Sequence, residues 1–375
     1  MAAVLQILLV TFPFFALVLC GYLAARRRML PLDAIPGLNG FVLFFALPCM
    51  LYRFGANTPL AQLLDAELFV TYLFCALVMV GFVVAVTMNR RIGWNDAAFG
   101  ALVAAFPNTG FMGVPLLVAL LGPAAAGPAI VTILVDLVIT SSLCIALSRL
   151  DGATAGAGAS NSRRMSPRDA TKNALKGVAT NPMPWAIALG AVASALQIDL
   201  PKPVLQTVGL LADAASPVAL FTIGAVLARS QMMTSDLVLK IPVPQADQGV
   251  PLITATQGSG EPAGEPLSSN FPMSSLPEGL VGKVPLRDYV PVALLKLLLH
   301  PLLVLLVGAA AVQMGLHIEP FALKVMVLVA ALPSASNVSL LAERFGADTG
   351  RIARIILVST ALAFFTFSGA VVLLH

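Results

Sequence analysis

Recurrent apolar runs, ten in number, are the feature that most limits how this sequence of 375 residues can fold. Most are long enough, at about 20 residues, for an α-helix to cross a hydrocarbon core of ~30 Å. Water does not reach the backbone there, so each crossing segment must pair its own N–H and C=O groups, as a helix does. Only 11% of the residues are charged, whereas soluble domains carry about 25%. The sequence therefore predicts an all-α polytopic membrane protein.

The positive charges test the division into ten spans and predict its orientation. Of the 22 Lys and Arg residues, 18 lie in alternate connections, and only Arg53 and Lys202 lie in the others. Positively charged loops stay in the cytoplasm, so we expect a multi-pass protein of the inner (cytoplasmic) membrane with both termini on the periplasmic side. This distribution also accounts for the net charge of +4 without a nucleic-acid partner. The predicted spans are 4–25, 34–53, 68–88, 97–121, 128–148, 182–197, 204–228, 289–313, 321–343 and 353–374.

Two hydrophilic segments divide the spans into groups. Residues 150–180 become basic along their length, which is typical of a cytoplasmic linker. Residues 230–287 are rich in Pro, Gly and Ser and lack apolar periodicity, which predicts a disordered cytoplasmic insertion. A regulatory or partner-binding loop is the alternative for this insertion. The first five spans occupy residues 1–149, and the last five occupy residues 181–229 and 288–375.

The fourth span is interrupted by residues that break helices. The segment Phe106–Pro115 contains two prolines, two glycines and the amide Asn108. Proline removes a backbone donor and glycine loosens the turn, so a continuous helix is broken here. Inside a membrane such a break is tolerated only where protein or a water-filled cavity surrounds it. The segment is therefore predicted to form half of a transport site.

The same pattern recurs in the ninth span. Val103–Pro107 is echoed by Val329–Pro333, and each proline precedes a short polar stretch. A weaker match relates Ala46–Pro48 in the second span to Ala215–Pro217 in the seventh. Each half has five spans, an odd number, so the second half must enter the membrane in the opposite orientation. The pattern predicts two inverted five-helix repeats, in which the broken helices 4 and 9 cross near the midplane.

The interrupted spans resemble those of a known family of carriers. Phe106–Leu117, with the sequence F-P-N-T-G-F-M-G-V-P-L-L, resembles the fourth-span signature of the auxin efflux carrier family. The run A-L-P-S-A-S-N from Ala331 is similar to the second crossover of that family, and K-L-L-L-H-P from Lys296 is similar to the eighth span of its bacterial members, which include malonate transporters. The resemblance implies a fold related to bile-acid sodium symporters, with a scaffold domain and a transport domain, and small organic anions as substrates.

The sequence departs from the family in two places. The third span holds no charge, whereas plant members carry a charged pair there, so the plant energetics are not assumed. In the family the longest insertion lies in the middle of the chain, whereas in this sequence it follows the seventh span.

The resemblance also implies roles for residues at the two breaks. Pro107 and Pro333 would mark the crossing, Asn108 would contact a carboxylate, and Asn337 would be its counterpart. The second half of each broken helix begins with unpaired N–H groups and a positive dipole end, which favours an anion. The predicted substrate-binding residues are Asn108, Thr109, Gly110, Gly113, Ser334, Ser336 and Asn337, and the predicted crossover prolines are Pro107, Pro115 and Pro333.

Charged residues away from the ends of the predicted spans need a reason, because a charge at a helix centre costs at least ~2.5–3.5 kcal/mol. They are Asp136, Asp213 and Lys296. One interpretation is that one of the aspartates pairs with Lys296 and binds a coupling proton or cation. The alternatives are structural bonds between helices for the aspartates and, for Lys296, a side chain that extends to the cytoplasmic interface. His300 lies one turn from Lys296, and a helix-packing role is expected of it.

Two transport functions fit these residues. The first is a secondary carrier that moves a malonate-like or other small carboxylate by alternating access. The alternative is a sodium/proton-type cation antiporter that uses Asp136 and Asp213. The sequence contains no hydrolase, nucleotide-loop or zinc motif, so we expect no enzyme activity, catalytic residue, metal or cofactor. The expected partners are the lipid bilayer, a small carboxylate and a coupling proton or sodium ion, with a homodimer as the candidate assembly.

Overall fold

The computed structural model describes residues 2–59, 65–89, 91–150, 182–198, 200–239 and 285–374. Within these ranges the chain is helical and contains no β-strand. The predicted linker after Leu150 lies outside the described residues, and so do residues 240–284 of the predicted insertion.

The described helices are numbered in chain order. The bounds are α1 Ala2–Arg26, α2 Leu32–Asn57, α3 Ala66–Thr87, α4 Trp94–Ala105, α5 Thr109–Leu121, α6 Pro123–Ser148, α7 Pro182–Leu196, α8 Lys202–Leu239, α9 Val290–Gln313, α10 Pro320–Ala330, α11 Asn337–Arg344 and α12 Thr349–Leu373.

Seven of these helices are long and apolar enough to cross a membrane: α1, α2, α3, α6, α8, α9 and α12. The remaining predicted spans coincide with the shorter helix α7, with the pair α4 and α5, and with the pair α10 and α11. The start of the predicted insertion differs from the expectation. The sequence predicts disorder from residue 230, whereas α8 continues to Leu239 and residues 230–239 are helical. Gln231 in this extension accepts a hydrogen bond from the Tyr22 hydroxyl of α1 at 2.7 Å, so the extended helix stays in contact with α1.

Four glycines let two pairs of helices approach closely. In the pair α1 and α8, a Cβ at Gly21 would lie 1.8 Å from Phe221 O, and a Cβ at Gly224 would lie 1.8 Å from Val18 O. In the pair α2 and α7, added Cβ atoms at Gly55 and Gly190 would lie 2.9 and 2.4 Å from backbone oxygens of the partner helix. Small residues are what membrane helices use to pack backbone against backbone.

Helix α4 is buried along most of its length. Every residue from Ala97 to Ala105 is buried, as expected of a helix that is apolar and small on all sides. Helices α3, α6, α9 and α12 pack around this segment and around α10.

Four of the helices contain a wide π-helical turn, at Val42–Ala46, Thr109–Gly113, Val135–Thr140 and Leu295–Leu299. The turn at Thr109–Gly113 is the start of α5. Three of them directly precede a helical segment with a proline near its start, namely Pro48, Pro115 and Pro301. A proline in a helix clashes with the carbonyl four residues earlier, and a π turn shifts that carbonyl. Such turns occur often at functional sites, and here two of them carry Asp136 and Lys296.

Candidate functional site

The two broken helices are joined where their regular hydrogen bonding stops. The Asn108 N–H donates to Pro333 O at 2.8 Å, and the Ala335 N–H donates to Phe106 O at 3.0 Å. These bonds form an antiparallel bridge between Pro107 and Ser334. Backbone groups freed by the breaks therefore pair with each other, as a chain without access to water requires. The breaks that the sequence predicted thus meet at one place, which we call the crossing (residues 106–109 and 331–337).

Three buried polar atoms at the crossing have no hydrogen-bond partner among the described residues. They are Asn108 Oδ1, Ser334 Oγ and Asn337 Oδ1. Asn108 is 4% exposed and Ser334 is 1% exposed. About 90% or more of buried polar groups in proteins are paired, so three unpaired atoms at one junction make the crossing the candidate site for a polar ligand.

The remaining residues predicted at the crossing shape its backbone. Thr109 Oγ1 donates to Pro107 O at 3.5 Å, and Ser336 O accepts from the Ser339 hydroxyl at 2.7 Å. Gly113 allows the two breaks to pack together, because a Cβ there would lie 2.5 Å from Leu332 Cδ1.

The two other predicted residues follow the Asn108 break. Gly110 faces Leu47 of α2, whose Cδ1 would be 3.9 Å from an added Cβ. Pro115 lies in the first turn of regular helix after the π turn of α5. Both residues therefore belong to the start of α5 and not to the bridge itself.

Two serines support the crossing and were not among the predicted site residues. Ser359 of α12 accepts the Ser334 N–H at 3.2 Å and donates to Ile356 O at 3.0 Å. Ser216 of α8 donates to Phe111 O at 3.2 Å. The sequence offered one signal, since both are hydroxyl residues within apolar helices, but it did not reveal their partners.

Asp136 lies in a separate buried group beside the crossing. Its side chain is fully buried, and it accepts hydrogen bonds from the Tyr72 hydroxyl at 3.0 Å and from Thr140 Oγ1 at 3.2 Å. The spacing of four residues predicted that Thr140 shares a face with Asp136. Tyr72, which comes from α3, was not predicted.

Lys296 connects this group to the crossing. It is fully buried, and Nζ donates to Ala330 O at 3.0 Å and to His300 Nδ1 at 2.9 Å. Ala330 is the last residue of α10, so the ammonium lies at the negative end of that half-helix, where a cation is favoured. Lys296 and Asp136 belong to one buried group, linked through His300 and Tyr72, and no direct ion pair joins them in the described part of the chain. Lys296 therefore does not extend to the membrane interface.

His300 packs between these groups. With Lys296 as an ammonium, which has only donors, Nδ1 is assigned as the acceptor and the ring proton is assigned to Nε2. Nε2 is buried without a hydrogen-bond partner among the described residues. The His300 ring centroid lies 6.2 Å from that of Tyr72.

The structure does not bring Asp213 to this group, so its pairing with Lys296, one of the two predicted pairings, does not form. Asp213 Oδ1 accepts a hydrogen bond from Arg53 at 2.6 Å, and 69% of its side chain is exposed. The reason is the packing of its helix: α8 lies against α1 and α2, whereas Lys296 is on α9, which packs against α3 and α10.

Sequence comparison supplies the wider context for this geometry. Residues 6–371 match the model of the family described as Membrane transport protein. The chain is 26% identical over 364 residues to "Putative malonate transporter" of Rhizobium meliloti (strain 1021), covering 97% of this chain and 94% of that protein. It is also 26% identical over 343 residues to "Uncharacterized transporter YfdV" of Escherichia coli (strain K12), covering 90% of this chain and 88% of that protein.

The family match and the crossing motifs agree with each other. The matched residues include both breaks, and the motifs at those breaks are the ones that resemble the auxin efflux carriers. The chain therefore belongs to the Membrane transport protein family, which is the auxin efflux carrier family.

Proposed function

We propose that this membrane transporter is a secondary carrier that moves a small organic anion across the inner membrane by alternating access. The observation that carries the proposal is the set of three unpaired buried polar atoms, on Asn108, Ser334 and Asn337, at the junction of two broken helices. A carboxylate needs donors. The Ser334 hydroxyl supplies one, and each amide supplies its NH₂ after rotation, because the two ends of an amide exchange roles readily.

Backbone donors add to this site. Helices α5 and α11 both begin at the crossing, and the first turn of a helix has N–H groups that no carbonyl of the same helix accepts. Those of Thr109, Val338 and Ser339 bond nearby carbonyl groups, so the other N–H groups of these two turns are the candidate donors. The positive dipole ends of the two helices favour an anion. Malonate-like substrates are proposed because the relative from Rhizobium meliloti bears the name of a malonate transporter and because two helix ends suit an acid with two carboxylates.

The ten-span inverted repeat is part of the proposal, and glycine positions support it. The same interval of numbering separates Gly21 from Gly190, Pro48 from Pro217 and Gly55 from Gly224. A repeat of five spans relates α1 to α7 and α2 to α8. It therefore exchanges the two close helix pairs, α1 with α8 and α7 with α2, each of which packs through a pair of these glycines. These four helices form the proposed scaffold domain, and the helices around the crossing form the proposed transport domain.

Asp136 and Lys296 are the proposed coupling pair. A proton or sodium ion that neutralises Asp136 removes the negative charge that attracts the Lys296 ammonium. Lys296 also bonds the end of α10 at the crossing, so a change in its position alters the substrate site. This connection would link ion binding to anion binding.

Replacement of Asn108 by alanine tests the proposed substrate site. We expect Asn108→Ala to abolish uptake of labelled malonate and related acids into proteoliposomes, because the side chain that contacts the carboxylate is removed. Membrane abundance should stay normal. Asn57→Ala, at an exposed position at the end of α2, is the matched control and should transport at the unmodified rate. Unchanged transport kinetics in Asn108→Ala would overturn the proposal.

A cation antiporter remains the second candidate, and the buried Asp136 favours it. In this function the carboxylate is the site, and the anion at the crossing is not required. Currents on a solid-supported membrane distinguish the two functions: jumps in organic acid concentration evoke them in the carrier, whereas jumps in sodium or pH alone evoke them in the antiporter.

A further inference from the structure

A buried arginine joins three helices at the end of α4 far from the crossing. Arg351, in the first turn of α12, is 2% exposed. Its Nε donates to Asp288 O at 2.8 Å, and its Nη1 donates to Asp96 O at 2.9 Å. Gly100 leaves room for the guanidinium, since a Cβ there would lie 3.0 Å from both Nη atoms. One side chain thus connects α12 to α4 and to the segment that leads into α9.

A second set of bonds holds the end of α11 at the same place. Asp96 Oδ1 accepts the Asp348 N–H at 2.7 Å, and Asp348 Oδ1 accepts the Arg351 N–H at 2.8 Å, which caps α12. Asn95 Nδ2 donates to the carbonyl of Phe345, the residue after α11, at 3.2 Å. We call these five residues, Asn95, Asp96, Phe345, Asp348 and Arg351, the latch.

The latch closes a loop that begins at the crossing. Helix α4 runs from the latch to Pro107, and α11 runs from Asn337 back to the latch. The two half-helices are therefore bonded at one end by the Pro107–Ser334 bridge and at the other end by the latch. A guanidinium suits this position, because its donors are fixed in a plane and can hold two carbonyl groups at once.

We propose that Arg351 is a positioning residue that keeps α4 and α11 together as one rigid unit throughout the transport cycle. The proposal rests on the proposed alternating access. In each state the substrate site needs Asn108, which follows α4, and Asn337, which begins α11, at a fixed separation. Arg351 acts at the far end of α4, where its side chain bonds Asp96 O. It reaches the segment after α11 through Asp348, whose side chain accepts the Arg351 N–H and whose own N–H bonds Asp96 Oδ1.

Cross-linking of the latch tests this rigidity directly. In a background in which Cys20, Cys49, Cys75 and Cys144 are replaced and transport is retained, Asn95→Cys and Phe345→Cys are introduced together and joined by a short bifunctional thiol reagent. The reduced double variant has lost one latch bond and should transport slowly. Cross-linking should restore its rate. A cross-link between Ser216→Cys and Phe111→Cys, which ties α8 to α5, is the control that should stop transport.

Substitution of Arg351 provides the second measurement. Both Arg351→Gln and Arg351→Lys should lower the transport rate, by up to about 100-fold, because small displacements of binding groups are costly. The cross-link at positions 95 and 345 should recover most of the loss. Arg351→Lys should transport as slowly as Arg351→Gln, since a single ammonium does not reproduce the two fixed bonds of the guanidinium.

Three results would overturn the proposal. The first is that cross-linking at the latch blocks transport, which would mean that the two ends separate during the cycle. The second is a wild-type rate in Arg351→Gln, and the third is a low rate in Arg351→Gln that the cross-link leaves unchanged. Failure of the proposed function would look different, because the unmodified protein would then transport no organic acid at all.

Discussion

Two aspartates inside apolar helices have opposite surroundings. Asp136 is fully buried and bonded by Tyr72 and Thr140, whereas Asp213 is exposed and bonded by Arg53. A buried charge affects its neighbours strongly, and an exposed ion pair contributes at most about 1 kcal/mol. The two residues should therefore respond differently to the same substitution.

Asp136→Asn should abolish coupled transport, and Asp213→Asn should leave most of it. Without the Asp136 carboxylate, the Tyr72 and Thr140 hydroxyls lose a charged acceptor, and hydrogen bonds to charged groups contribute about 1.5–3 kcal/mol. Transport assays and thermal unfolding of the purified variants measure both effects, and Asp213→Asn is the matched control. Equal loss of transport in the two variants would contradict this assignment of roles.

Residue-level contacts were only partly predictable. The spacing of Asp136 and Thr140 gave their contact, because neighbours along one helix face follow from helix geometry alone. Tyr72 and Ser359 escaped prediction because their partners lie on other helices, which tertiary packing brings near. The same packing separated Asp213 from Lys296.

At the scale of helices, glycine positions decide which elements touch. A Cβ at Gly224 would lie 1.8 Å from the Val18 carbonyl oxygen, whereas a Cβ at Gly209 of the same helix would meet no atom within 4 Å. The obstructing atom belongs to the backbone, so it cannot move aside as a flexible side chain would.

Gly224→Ala should therefore separate α1 from α8. We expect a loss of stability at or above the upper end of the ~1–3 kcal/mol that overpacking typically costs, measured as a lower midpoint of thermal unfolding in detergent. Gly209→Ala is the matched control and should be neutral or stabilising by up to ~1 kcal/mol, because alanine favours a helix over glycine. If both variants unfold at the same temperature, the close pairing of α1 and α8 is not a source of stability.

The breaks themselves were predictable, and the π turns were not. Proline and glycine interrupt a helix by local chemistry, so Phe106–Pro115 and Ala331–Asn337 stood out in the sequence. A π turn instead depends on how the surrounding helix adapts to a proline or to a polar side chain. No proline follows Val135–Thr140 closely, and Pro301 after Leu295–Leu299 does not by itself distinguish a π turn from a simple kink.

For the molecule as a whole, the charge distribution predicts an orientation that experiment can measure. We expect both chain ends on the periplasmic side and residues 150–180 in the cytoplasm. Alkaline phosphatase fused to either end should be active, and green fluorescent protein fused there after secretion should not fluoresce. Fusions within 150–180 are the control and should give the reverse pattern. Cytoplasmic signals at both ends would contradict this orientation.

The sequence by itself determined the class of molecule and the location of the breaks, because apolar length and proline or glycine chemistry act locally along the chain. It also determined the family through the motifs at those breaks. Only the tertiary structure decided that the breaks bond to each other through Asn108 N–H and Pro333 O. It alone showed that Asp213 pairs with Arg53 instead of Lys296 and that Arg351 joins the first turn of α12 to the first turn of α4. These contacts join residues far apart in sequence, and the packing of whole helices, which local patterns do not encode, brings them together.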